Sequence, residues 1–183
     1  MPTKNIFRFL TLFILLAISA ISYADNYFPS NAMETMKNAP HVNIYGAKHP
    51  FPGILTGGQP TQEQLETAKS KGFKTIINLR MPSEMTEWNE PAEVKALGMN
   101  YITIPVGNAD DINVKNSNAL VAALENQNNY PVLIHCASGN RIGALFAMDA
   151  YHSAKMGQEM ALQIGRDSGL TRLEPVVKGK LKP

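Results

Sequence analysis

Residues 131–151 read PVLIHCASGNRIGALFAMDAY. Val132 to Ile134 form a continuous apolar run, the pattern of a strand buried on both faces. Ser138, Gly139 and Asn140 make a turn, and IGALFAMDAYHSAK (residues 142–155) reads as a helix buried on much of its surface. A buried strand that passes through a short turn into a buried helix is the unit of an α/β fold. The turn also holds Cys136, the one cysteine of the chain.

The same alternation extends upstream. GILTGGQP (residues 53–60) reads as a short strand into a glycine turn. PTQEQLETAKSKG predicts a helix, with Thr61 and Gln64 spaced as a capping box and Gly72 as its stop. KTIINL predicts a buried strand, EPAEVKALG a helix with Pro91 in its first turn, and NYITIPV a further strand. A helix over 117–126 (SNALVAALEN) precedes the strand at 132, and GQEMALQIGRDSG is the last predicted helix. Val42 to Tyr45 is expected to add a short strand, and the basic tail a loose end. The expected architecture is α/β, with a central, mainly parallel sheet flanked by helices on both faces.

The chain begins MPTKNIFRFLTLFILLAISAISYA. Lys4 and Arg8 precede an apolar run from Phe9 to Ile21, and Ser22 and Ala24 stand at the small-residue positions of a cleavage site. Residues 1–24 are therefore expected to be a signal peptide, and the mature protein periplasmic or secreted. An uncleaved N-terminal anchor is the other reading. The expected organisation continues with an N-terminal arm over 25–49, one domain over 50–170 and a tail over 171–183.

Lys4 and Arg8 are two of 17 basic residues, and the leader holds none of the 15 acidic ones, so the mature chain is balanced in charge. There is no basic stripe with interleaved aromatics, so nucleic acid is not an expected partner. No later stretch is apolar enough to span a bilayer, so no stable membrane association is expected after cleavage. Four histidines show no metal-ligand spacing, and no metal is expected.

A lone cysteine in an exported protein is a reactive thiol, half of an intermolecular bridge or a small buried hydrophobe. Its neighbours favour the first. Ligands of parallel sheets gather at strand carboxyl ends, where Cys136 falls. Amides at the start of the following helix are unpaired and attract an anion. Gly139 permits the backbone to turn those amides inward. Arg141 adds a planar fork for an oxyanion, and the same positive field favours a thiolate.

HCASGNR resembles the active loop of cysteine-dependent phosphatases of the tyrosine and dual-specificity class. GILTGGQPTQEQLETAKSKGFKTIINLR and ALGMNYITIPV resemble the phosphatase-like domain of beta-lactamase-hydrolase-like proteins. The resemblance spans about residues 50–168 and implies a dual-specificity-phosphatase-like fold. It makes Cys136 the nucleophile and Arg141 the oxyanion clamp. Ala137, Ser138, Gly139 and Asn140 then line the anion site, and His135 holds the loop. It also implies a phosphorylated substrate or small anion as partner, and no cofactor.

A general acid would come from IPVGNADDIN, with Asp110 preferred over Asp111; both also suit turn and helix-cap roles. Arg80 either borders the site or forms an ion pair with Glu84 or Glu87. Gln59 and the Gly57–Gly58 turn are expected near the loop. Trp88 either faces substrate or packs.

Two features depart from the phosphatase pattern. Four residues separate Cys136 from Arg141 where five are usual, and Ile142 stands where a serine or threonine is usual. A six-residue Cys-x-x-Gly-x-Arg loop resembles rhodanese-type sulfurtransferases, in which the cysteine carries a persulfide. Persulfide transfer and a non-catalytic anion-binding module are the alternatives to phosphate ester hydrolysis.

Overall fold

The computed structural model describes residues 39–182. The expected signal peptide and most of the arm lie outside them. Four strands form one fully parallel sheet: β1 (Ile54–Gly57), β2 (Thr75–Asn78), β3 (Asn100–Thr103) and β4 (Val132–His135), in the order β1-β4-β2-β3. The helices are α1 (Gln62–Ser70), α2 (Glu90–Ala96), α3 (Val114–Glu125), α4 (Asn140–His152), α5 (Gln158–Asp167) and α6 (Glu174–Lys180).

β4 is central and buried along its whole length, as the VLIH run predicts. Its register sets the site. Gly57, His135 and Asn78 lie side by side at the carboxyl ends of β1, β4 and β2. Each following segment therefore leaves the sheet at the same level.

Alternate strand residues face opposite layers. Ile54, Ile77, Val132 and Ile134 pack with α3 to α6 through residues such as Leu120, Leu145, Leu162 and Val177. Leu55, Ile76 and Leu133 pack with α1 and α2 through Leu65, Ala68 and Val94. The capping box of α1 is present: the Gln64 amide donates to Thr61 Oγ1 and the Thr61 amide to Gln64 Oε1.

Three local expectations change. Residues 42–45 form no strand; Gly46 takes φ +62, Pro50 lacks an amide donor, and only Lys48 bridges to Thr56 on the free edge of β1. Val42 and Ile44 are buried nonetheless, in the α1 and α2 layer. Helix α3 starts at Val114, ahead of Ser117, because the Asn113 side chain accepts from the Asn116 amide and caps it. The tail is not loose. Residues 174–180 form α6, and Val177 and Leu181, one helical turn apart, are fully buried. Two apolar residues at i and i+4 are enough to dock a short helix against an existing core.

Candidate active site

Cys136 follows β4, and its amide donates to Gly57 O at 3.3 Å. The chain then turns at Gly139, which takes φ +87 and caps α4. The turn brings the Gly139 amide to within 3.1 Å of Cys136 Sγ, so this N–H donates to the sulfur. A side chain at Gly139 would strain that backbone. Ser138 forms an antiparallel bridge with Gly58. A Cβ on Gly58 would stand 2.9 Å from Ala137 O, so the loop and the β1 turn approach through glycine. Helix α4 thus presents its amino terminus to the sulfur, with Arg141 in its first turn.

Arg141 makes a two-pronged pair with Glu84: Nη1 to Oε1 and Nη2 to Oε2, both 2.7 Å. Nη1 also reaches Leu79 O at 3.4 Å. A guanidinium has five N–H donors, so Nε and one Nη2 hydrogen remain for a bound oxygen. Glu84 also accepts from the Met81 amide. The Arg141 hydrogen bonds, opposed by partial burial and helped by that amide, bring the Glu84 carboxyl down to about 2. Arg141 is correspondingly raised, first through its bond to Glu84.

Arg80 converges on the same group. Its Nε lies 3.5 Å from Glu84 Oε2, and Nη1 donates to Gln59 Oε1 at 2.6 Å. It pairs with Glu84, and it also lines a pocket. That pocket, about 300 Å³, opens on Ala137 and is lined by Gln59, Arg80, Glu84, Glu87 and Trp88 among others. Cys136 itself is 1% exposed, so Ala137 is the part of the loop that the pocket reaches.

Beneath the loop lies a buried carboxylate. Glu90, the first residue of α2, accepts from Gln59 Nε2 at 2.8 Å, the Tyr101 hydroxyl at 2.7 Å and Asn78 Nδ2 at 3.2 Å. His135 Nε2 lies 3.1 Å from Glu90 Oε1. Its ring nitrogens are off the line of a formed hydrogen bond, so this contact is one of charge and dipole. Burial pushes the Glu90 carboxyl up, but His135, Tyr101 and Gln59 together outweigh it and leave it lowered. Burial and Glu90 push the Tyr101 hydroxyl up. One carboxylate thus joins the turn after β1, through Gln59, to residues of β2, β3 and β4. His135 therefore sits at the base of the loop, fully buried, with Glu90 beside its Nε2.

Other expected site residues are placed elsewhere. Asn140 points its side chain away from the pocket, and Oδ1 accepts from the Thr171 and Leu173 amides at 2.8 and 3.3 Å. Asp111 caps its own turn, accepting from the Gly107 and Asn108 amides. Glu84 and Glu87 line the pocket over the loop, and Asp110 and Asp111 do not. Glu84 and Glu90 are the residues that sequence reasoning missed as site partners. Glu90 carried only the signal of a helix-start acid, and Glu84 only that of an i,i+4 partner for Arg80. Among the described residues, no group of three or more His, Cys, Asp or Glu could hold a metal ion.

A parallel sheet flanked by helices on both faces, with a cysteine–arginine loop between a central strand and a helix, is a dual-specificity-phosphatase-like fold, although this loop has four residues between Cys136 and Arg141 where that class has five. Residues 46–172 match the family described as "DSP-PTPase phosphatase fused to NAD+ Kinase", and the chain belongs to that family. It is 27% identical over 124 residues to a beta-lactamase hydrolase-like protein of Xylella fastidiosa, a match covering 63% of this chain and 27% of that protein. The chain thus accounts for about a quarter of its relative. A putative phosphatase from Neisseria meningitidis superposes with TM-score 0.60 at 22% identity, over 74% of this chain and 95% of that one. P. aeruginosa TpbA, solved in complex with pTyr, superposes with TM-score 0.59 at 15% identity, over 79% and 87%. At these identities the likeness carries the fold.

Proposed function

We propose that this protein is an exported, cysteine-dependent hydrolase of phosphate monoesters. The observation that carries this reading is the short donation from the Gly139 amide to Cys136 Sγ at the start of α4, with Arg141 in the same turn. The Cys136 sulfur attacks phosphorus, an S–P bond forms, and the P–O bond to the leaving group breaks. The loop amides and the remaining Arg141 donors stabilise charge on the phosphoryl oxygens. Water then attacks phosphorus, the S–P bond breaks, and phosphate leaves with the thiolate restored. TpbA, with its bound pTyr, supports a phosphate ester as ligand for this fold.

The leaving oxygen needs a proton. Glu84 is unsuited, because Arg141 keeps it ionised down to about 2. Glu87 is exposed on the pocket wall and carries no such pair, so it takes the place first assigned to Asp110 or Asp111.

Persulfide transfer by the same cysteine is the second reading. The enclosed sulfur and the loop of four residues between Cys136 and Arg141 favour it, since a small sulfur donor needs less room than a phosphoryl group. Parallel assays decide between the two. Hydrolysis of an aryl phosphate that vanishes in Cys136→Ser supports the phosphatase. Thiocyanate formation from thiosulfate and cyanide, without phosphate release, overturns it. Phosphate binding that survives Cys136→Ser, with neither turnover, leaves a binding module. Export is tested by amino-terminal sequencing of protein from the periplasm or medium, with Asp25 expected first.

A further inference from the structure

His41 and His49 stand eight positions apart, a spacing that matches no metal-ligand pattern along the chain. The fold makes them neighbours. Val42 and Ile44 are buried in the α1 and α2 layer, and Gln64 of α1 donates to Asn43 O at 2.7 Å. The chain then reverses: the Ala47 amide donates to Ile44 O, and Gly46 takes φ +62. Lys48 pairs with Thr56 on the edge of β1 through two backbone bonds of 2.9 Å. Both ends of the turn are anchored, and the two imidazoles leave it side by side on the exposed surface.

His41 Nδ1 lies 3.3 Å from His49 Nε2, with the ring planes tilted by 43°. Two nitrogens bonded at about 2.0–2.1 Å to one tetrahedral ion stand about 3.3–3.4 Å apart. The facing nitrogens therefore already have the separation of two ligands on a shared metal. Without an ion, one ring donates an N–H to the other across the same distance. To take an ion, the donating ring moves its proton to its other nitrogen. Both lone pairs then face the ion, and no net proton is released. Burial and then the facing His41 hold His49 below its ordinary pKa, which favours the neutral ligand.

We propose that His41 and His49 form a two-ligand site for a divalent ion of the Zn²⁺, Ni²⁺ and Cu²⁺ class, with water in the remaining positions. Imidazole suits these ions, whereas Mg²⁺ and Ca²⁺ take oxygen ligands. Two protein ligands with open water positions make an exchangeable site, unlike the closed four-ligand sites that hold structural zinc. The site does not rest on the function proposed above. It lies at the root of a turn whose tip backs the cysteine loop: the Gly58 amide donates to Tyr45 O at 2.7 Å, and Gly58 bridges Ser138. A bound ion ties the two ends of that turn together.

Calorimetric titration with Zn²⁺ tests the site, in protein that carries no histidine tag and has Cys136→Ser to remove the thiol as a ligand. One equivalent is expected to bind. Loss of an outer-shell partner alone costs about 10–100-fold in metal affinity, so His41→Ala and His49→Ala are each expected to weaken binding at least about tenfold. His152→Ala is expected to change nothing. Both pair members are exposed, so their variants keep the fold, which circular dichroism checks. In ¹⁵N-histidine spectra, Zn²⁺ is expected to shift the His41 and His49 ring signals and leave His135 and His152 in place. Zn²⁺ affinity unchanged in both alanine variants overturns the site, as do ring shifts confined to His152. Displacement of Zn²⁺ by an equal concentration of Mg²⁺ also overturns it.

Discussion

Arg141 and Glu84 meet through two parallel hydrogen bonds of 2.7 Å, although they stand 57 positions apart in the chain. The pair fixes the plane of the guanidinium that stands in the first turn of α4, next to the cysteine loop. Glu84→Gln removes the charge and one of the two acceptor oxygens, so Arg141 can rotate. A misplaced oxyanion donor costs about a hundredfold in rate. Turnover in Glu84→Gln is expected to fall by about that factor, mainly in kcat, with Cys136 still alkylated by iodoacetamide. Unchanged kcat would mean that Arg141 needs no such support.

The same pair makes a pH prediction. Glu84 is lowered to about 2 in the folded protein, against an ordinary value of 4.5. Its contribution to stability is therefore fully present above 4.5 and disappears as pH falls toward 2. The pair is partly exposed, so the effect is modest. Urea midpoints of wild type and Glu84→Gln should differ at pH 7 and converge by pH 2. A gap that persists at pH 2 would show that Glu84 acts through packing and not through charge.

The identity of the general acid is open to a direct comparison. Glu87→Gln is expected to lower kcat for a poor leaving group, such as an alkyl phosphate, by about 10²–10³ and to affect an activated aryl phosphate far less. Asp110→Asn and Asp111→Asn are expected to leave that ratio alone. Asp111→Ala should lower stability by about 1 kcal/mol, because its carboxylate caps the Gly107 and Asn108 amides. A leaving-group effect in either aspartate variant, and none in Glu87→Gln, would restore the assignment made from sequence.

Asn140 predicts a stability effect where sequence suggested a binding role. Removal of its side chain leaves the Thr171 and Leu173 amides without their acceptor. Asn140→Ala is expected to cost about 1–3 kcal/mol in denaturant unfolding. It should also expose the segment after Leu170 to protease before the rest of the chain. Equal proteolysis of both proteins would argue against that anchor.

Gly143 is set by close packing of helices. A Cβ there would lie 2.2 Å from Leu170 N and 2.3 Å from Gly165 O, both backbone atoms that cannot swing aside. Gly143→Ala gains about 1 kcal/mol of helix propensity but forces α4 away from α5, and overpacking costs typically about 1–3 kcal/mol. The clash outweighs the gain in propensity, so the melting temperature is expected to fall. A rise would mean that the two helices separate freely.

Much of this protein is legible along the chain because the physics is local. The alternation of β-branched runs with capped helical patterns produced the four strands and placed Cys136 at the carboxyl end of the central one. The Thr61–Gln64 box, the Gly139 turn and the apolar VLIH run each depend on residues within a few positions of one another. What escaped depends on contacts across the chain. Glu84 looked like a partner for Arg80 four residues before it, and only the turn after β2 carries it to Arg141. Glu90 looked like a helix-start acid until the sheet register brought Gln59, Asn78, Tyr101 and His135 around it. The tail reads as basic and polar, and its two buried apolar residues acquire meaning only where a groove receives them. Sequence alone determined where Cys136 and the amides of the following helix start stand, since a helix start makes its anion-attracting field by itself. Tertiary structure decided which carboxylates face the arginines, because a charge pair depends on distance in space and not on spacing in the chain.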